Sequence, residues 1–162
     1  MTSGTIIETV KDAIAVASTI IESAEKEVCW LVPAPLLVLA AHFNLNDKSR
    51  VLIQKGGQER GITEISPLYI EAVSAVIDIG VDIRHMERYG GTFMVVGDGR
   101  QSISSMDINA QDLSLNDNIV AFWTENPDYA AYLLSSFEST WAEATNAQKR
   151  MEELGADRPS HL

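Results

Sequence analysis

Cysteine is almost absent from this chain: Cys29 is the single thiol in 162 residues. One thiol excludes an internal disulfide and any zinc cluster built on cysteines, and it suits a reducing compartment, so a cytoplasmic location is expected. Cations are scarce as well, with 12 Lys and Arg against 23 Asp and Glu and a net charge of −11. An acidic excess repels phosphate backbones and anionic lipid, so neither nucleic acid nor a membrane is expected as a direct partner. Long apolar runs are missing too. The most apolar stretch, Trp30 to Phe43, contains Pro33 and Pro35 and is too short to cross a bilayer as a helix. Met1 to Thr5 has no basic segment leading into an apolar one, so no secretion signal is expected. Internal repeats and low-complexity stretches are also lacking.

What is present is a chain with 46% hydrophobic residues, long enough for one good core and short for two. The expected organisation is a single domain over residues 1–154 with a flexible tail over 155–162, where Gly, Pro and charge accumulate. Thr5 and Glu8 have capping-box spacing ahead of Ile6, Val10, Ala13, Ala17 and Ile20, which predicts an amphipathic helix over about 5–25. Val28 to Val32 reads as a buried central strand ended by Pro33. Leu36 to Phe43, apolar on nearly all sides, reads as a deeply buried helix opened by Pro35. Asn44 to Ser49 reads as a polar turn, and Arg50 to Lys55 is ambiguous between strand and helix.

Gly61 to Ile65 then predicts a strand, Ser66-Pro67 a cap and first helical turn, and Ile70, Val73, Val76 and Ile77 a helical stripe ending at Gly80. This crossover leads into Val81 to His85 and implies parallel strands. Asp98-Gly99 is a tight-turn signal between two further strands, Thr92 to Val96 and Gln101 to Met106. After a polar loop, Ile119 to Trp123 predicts the last strand, and Asn126-Pro127 starts a helix with Leu133, Phe137 and Trp141 on its buried stripe. The fold class expected from this order is α/β, a mixed β-sheet with helices on both faces.

The segment around Gly80 to Asn109, with its "GVDIRHM" strand and "GGTFMVVGDGRQSISSMDIN" hairpin, resembles the phospholipase D-like superfamily, and the likeness extends over roughly residues 8–153. The resemblance implies a phospholipase D-like half-unit. In that family the matching strand and turn read His-x-Lys-x-x-x-x-Asp, followed by a Gly-Ser-x-Asn-like stretch. Placing Phe93 to Val96 on the apolar residues after the family lysine puts Gly90 at the histidine and Thr92 at the lysine. Shifting so that Asp98 takes the family aspartate puts Gly91 and Phe93 there instead. Either way the nucleophile and the cation are missing, while Asp98, Ser104, Ser105 and Asn109 keep loose counterparts. The family reaction needs a histidine nucleophile, a histidine acid and lysines for the phosphate charge, so no catalytic residue is expected here. Motif-less domains of this kind, similar to "GITEIS" and "RHMERYGGTF" here, are sensory or regulatory modules of microbial and archaeal histidine kinases and transcription regulators.

The expected function is therefore a non-catalytic sensory or regulatory domain that binds a small ligand or a signalling partner, with a homodimer implied by the family's paired half-units. Glu64, Arg84, His85, Arg88, Tyr89 and Thr92 form the candidate ligand pocket at the carboxyl ends of the parallel strands, suited to an anionic or carbonyl-bearing ligand. Arg84 pairing with a carboxylate and His85 as a satisfied half-buried side chain is the simpler alternative. A hydrolase using His85 with Glu64, or a pure interaction module, are the competing functions. No cofactor and no metal are expected: Asp107 to Asn118 begins like a calcium loop but lacks its glycine and final glutamate. Cys29 reads as an inert buried thiol, and Trp123, Phe137 and Trp141 as packing.

Overall fold

Alternating β-branched residues at the start of the chain pair as a strand before any helix begins. The computed structural model describes residues 4–87, 92–105 and 113–156. Gly4–Thr9 is β1, an edge strand antiparallel to β7 (Asn118–Thr124). The first helix, α1, is Val10–Ser23, capped by Thr9, whose hydroxyl accepts from the Asp12 N–H. The predicted helix start at residue 5 is thus corrected: strand pairing with β7 takes residues 4–9, and the Thr5–Glu8 capping box is not used.

Among the described residues a sheet of eight strands runs in the order β1, β7, β6 (Gln101–Ser105), β5 (Phe93–Gly97), β2 (Glu27–Leu31), β3 (Gln58–Thr63), β4 (Asp82–His85) and β8 (Thr145–Asn146). β2 (Glu27–Leu31) is central, with β3 (Gln58–Thr63) and then β4 (Asp82–His85) parallel to it on one side. On the other side β5 (Phe93–Gly97) and β6 (Gln101–Ser105) form the expected hairpin, leading to β7. Asp98 and Gly99 turn that hairpin with φ of 55° and 63°, the left-handed pair that a two-residue hairpin needs. The two-residue β8 (Thr145–Asn146) closes the far edge. An α/β mixed sheet with helices on both faces is what the structure has.

Between β2 and β4 the helices are α2 (Ala34–Ala41), α3 (Leu45–Gln54) and α4 (Ile70–Ile79), the last stopped by Gly80 at φ 113°. A second correction falls on α3, where a polar turn was expected over 44–49. Leu45, Ser49 and Leu52 recur at helical spacing and form its buried stripe. A third falls on α2. It is apolar all round, yet only Ala34 and Leu36 are buried, and Val38 and Phe43 stand exposed. α2 packs on α3 and α4 and sends Leu36 into the larger core, while Val38 on its other side meets solvent.

Among the described residues the long helix α5 (Pro127–Glu143), capped by Asn126, covers one face alone, packing Ala130, Leu133, Phe137 and Trp141 on Cys29, Leu31, Ile62 and Met94. The larger core lies on the opposite face, beneath α1, α3, α4 and α6 (Ala147–Ala156). Strand alternation assigns the faces: Val28, Trp30, Val95 and Ile103 look toward α1, their neighbours toward α5. Among the described residues no helix is long and apolar enough to cross a membrane.

Candidate functional site

His85 ends β4 with its side chain under the α1 face of the sheet, and the residue is only 6% exposed. Its Nδ1 accepts the backbone N–H of Ile65 at 2.9 Å, in the loop after β3. Nε2 lies 3.6 Å from Glu87, and the same carboxylate is 3.4 Å from Arg150 of α6. Arg150 also donates from Nε to the Ile65 carbonyl at 3.0 Å. Burial, helped by the Arg150 charge, pushes the imidazole below its usual pKa, against the pull of Glu87 and Glu64. A neutral ring with Nδ1 as acceptor is what the Ile65 bond requires. These contacts tie the β3 loop, the end of β4 and α6 into one knot.

Arg84, the preceding residue, points to the opposite face because side chains alternate along a strand. Its guanidinium stacks 4.2 Å from the Trp141 ring and donates to the Trp141 carbonyl at 2.6 Å. The pocket expected from sequence therefore comes apart. His85 is on one side, near enough to Glu64 to feel its charge, Arg84 is on the other under α5, Thr92 sits half-buried just before β5, and Arg88 and Tyr89 lie outside the described residues. Residues 107–112 of the calcium-like loop fall outside them as well.

Beside Arg84 sits an unexpected pair. Arg60 of β3 makes a two-pronged bond to Glu138 of α5, Nη1 to Oε1 at 2.9 Å and Nη2 to Oε2 at 2.6 Å. The same guanidinium lies 5.1 Å and 5.2 Å from the Phe137 and Trp141 ring centres. Cys29, 3.5 Å from Arg60, has its thiol pushed up to about 11 by burial despite that cation, so its protonated form is favoured.

Of the family-like positions, Asp98, Ser104 and Ser105 are engaged structurally, while Gly90, Gly91 and Asn109 lie outside the described residues. Ser104 shares a hydrogen bond with Tyr129 at 3.1 Å, and Ser105 donates to the Val120 carbonyl at 2.7 Å. Asp98 does more than turn a hairpin: its carboxylate accepts the backbone N–H groups of Glu25, Lys26 and Glu27 at 2.8–2.9 Å. Burial alone would raise its pKa, but those three donors hold it below the usual carboxylate range. Phe93, one of the two residues placed at the family lysine, is 3% exposed and packs in the larger core.

Glu59 escaped the sequence reading, which started this strand two residues too late to include it. It is 5% exposed on the α1 face of β3, and Trp30 Nε1 donates to its Oε2 at 2.7 Å. Its Oε1 has no hydrogen-bond partner, and burial pushes the carboxyl up, against the Trp30 N–H and the nearby Ser49 hydroxyl. The available signal was the run Glu59-x-Gly61-x-Thr63, a polar and small set at strand period beside an apolar neighbour strand. Among the described residues no cluster of His, Cys, Asp and Glu is arranged to hold a metal.

No family model and no curated protein matches the sequence. Solved structures do match in fold. Nuc, a phospholipase D family member from Salmonella typhimurium, superposes with a TM-score of 0.70 at 12% identity, covering 90% of this chain and 98% of its own. NucT from Helicobacter pylori gives 0.70 at 9% identity, covering 90% and 99%. TrmBL2, an archaeal chromatin protein with a novel mode of DNA binding, gives 0.69 at 16% identity, covering 89% of this chain and 54% of its own. This chain thus spans about half the length of that chromatin protein. At such identities the likeness shows a phospholipase D-like fold and no chemistry. It does correct one expectation. The net charge of −11 was read as excluding nucleic acid, yet a protein with this fold binds DNA. Net charge is a sum over the whole chain, whereas contact with phosphate is decided by local donors and by whatever else the protein carries.

Proposed function

We propose that this chain is a non-catalytic regulatory module on a phospholipase D-like scaffold, which binds a small molecule or a signalling partner instead of cleaving a phosphodiester. Phe93 carries the reading. The second register places it at the family lysine, and there it is a buried ring in the core, unable to supply the positive charge that a phosphoryl transition state needs. In the first register Thr92 brings only a hydroxyl. The competing hydrolase, with His85 as its base, meets a further obstacle: Nδ1 is committed to the Ile65 N–H and the ring is buried.

Turnover of a chromogenic phosphodiester by the purified chain, compared with His85→Ala, tests this directly. We expect no turnover in either; activity that His85→Ala abolishes would establish the hydrolase instead. A thermal-shift screen reports ligands, since anything bound only to the folded chain raises its Tm.

Contact with DNA is a second reading, favoured by the fold shared with TrmBL2. A gel shift with duplex DNA at low and high salt tests it: retardation that fades with salt supports direct contact. Light scattering decides between monomer and homodimer.

A further inference from the structure

On the α1 face, between the sheet and the helices, lies an apolar cavity of about 70 Å³. Ala13 and Ala17 of α1 and Leu36 and Ala40 of α2 form its walls, and Trp30 and Val95 its floor. The three alanines are what leave the space. Into this lining comes the Glu59 carboxyl, with Trp30 holding Oε2 and Oε1 unpartnered.

A close-packed interior tolerates neither feature without a reason. A void forfeits dispersion contacts along its lining, and a buried acceptor without a donor carries its full desolvation cost. One occupant answers both: an apolar body for the alanine and leucine walls, and one polar atom for Oε1. Burial favours the neutral carboxyl, which would donate from Oε1, while an ionised one would accept. A hydroxyl meets either form, whereas an anion would be repelled and a bulky cation would not fit. The volume bounds the size. It exceeds the ~30 Å³ share of a water and is about half of the ~150 Å³ that admits benzene in an engineered apolar cavity.

We propose that this cavity is a binding site for a small neutral molecule with one hydroxyl and an apolar body of about two carbons, whose oxygen completes Glu59 Oε1. α2 is the wall that yields for entry: the helix has no side-chain cap, buries only two residues and exposes Val38 on its outer side. The site gives the regulatory reading a ligand class and rests on that reading only for its biological meaning.

Ethanol, titrated into the ¹⁵N-labelled chain, is the probe, with chloroethane as a matched molecule lacking the hydroxyl. The Trp30 indole N–H should shift saturably with ethanol, with a preference over chloroethane of roughly three- to ten-fold. Glu59→Leu should erase the preference, and Ala17→Leu, or Ala40→Leu should the first not fold, should abolish binding by filling the space. A linear, unsaturable shift, a preference surviving Glu59→Leu, or crystals soaked in ethanol with only a water on Glu59 would each overturn the proposal. The titration reads occupancy and the phosphodiester assay reads catalysis, so an empty cavity leaves the non-catalytic reading standing, and turnover leaves the cavity result standing.

Discussion

Trp30 and Glu59 meet across neighbouring parallel strands, the indole N–H donating to the carboxyl at 2.7 Å. The ring reaches that far by lying across Gly61, where a Cβ would sit 2.2 Å from it. Glycine is therefore required at Gly61 by close approach. A buried acid follows from this arrangement, with a specific pH signature. The folded-state pKa of Glu59 is raised by burial, so the folded chain holds its proton more tightly than the unfolded one. The corresponding stability is fully present below about pH 4.3, the usual Glu value, and is lost as pH rises through the folded pKa. Glu59→Gln should remove this loss, making the variant relatively more stable at neutral pH than at pH 4. Urea unfolding across that range checks it.

Asp98 should behave in the opposite sense. Its folded pKa is depressed by three backbone N–H groups, so its contribution is present above the usual Asp value of about 3.9 and disappears as pH falls through the lower folded value. Asp98→Asn keeps a residue that tolerates φ near 55° and removes only the charge. A loss of about 1–3 kcal/mol at pH 7 is expected, shrinking toward pH 3. Equal losses at both pH values would contradict the charge-based account.

His85 predicts sensitivity to mild acid. Its lowered folded pKa means that the neutral ring is the folded form, so stability is present above about 6.5 and declines as pH falls through the folded value. Protonation also removes the acceptor for the Ile65 N–H. His85→Phe should cost about 1–3 kcal/mol at pH 7.5 by orphaning that donor, and should flatten the decline between pH 7 and 5. Hydrogen exchange at Ile65 should speed up in the variant.

Arg60 and Glu138 form a well-aligned pair whose carboxylate is half exposed, so water screens much of the attraction. Glu138→Gln should cost less than about 1 kcal/mol. Arg60→Ala should cost more, about 1–2 kcal/mol, because the guanidinium and its stem also cover the Phe137 and Trp141 rings. A double-mutant cycle by denaturant unfolding separates the two parts; a larger effect from Glu138→Gln would reverse the ranking.

Local signals explain which elements were legible. The β5–β6 hairpin announced itself through Asp98-Gly99, α5 through Asn126-Pro127 and its stripe, and the β3–α4–β4 crossover through Ser66-Pro67 and Gly80. Each rests on backbone conformations that only a few residue types adopt. β1 was missed because its identity depends on β7, more than a hundred residues away in sequence. α2 was misplaced because an all-apolar helix signals burial somewhere but not against what, and here much of it stays near solvent.

The candidate site was less legible than the fold. Arg84 and His85 are adjacent in sequence, and treating them as one cluster ignored the alternation that sends them to opposite faces. Glu59 and Arg60 divide in the same way, one toward Trp30 and one toward Glu138.

The residues by themselves determined the α/β class, the strands that alternate with helices and the tight turn at Asp98. Those properties are written in local periodicity, turn chemistry and identity. Only the tertiary structure decided that Glu59 is a buried, half-partnered acid beside a cavity, that His85 is a knot between β4 and α6, and that Asp98 holds the start of β2. Burial and hydrogen-bond partnership arise from segments distant in the chain, and a side chain's chemistry follows from its surroundings.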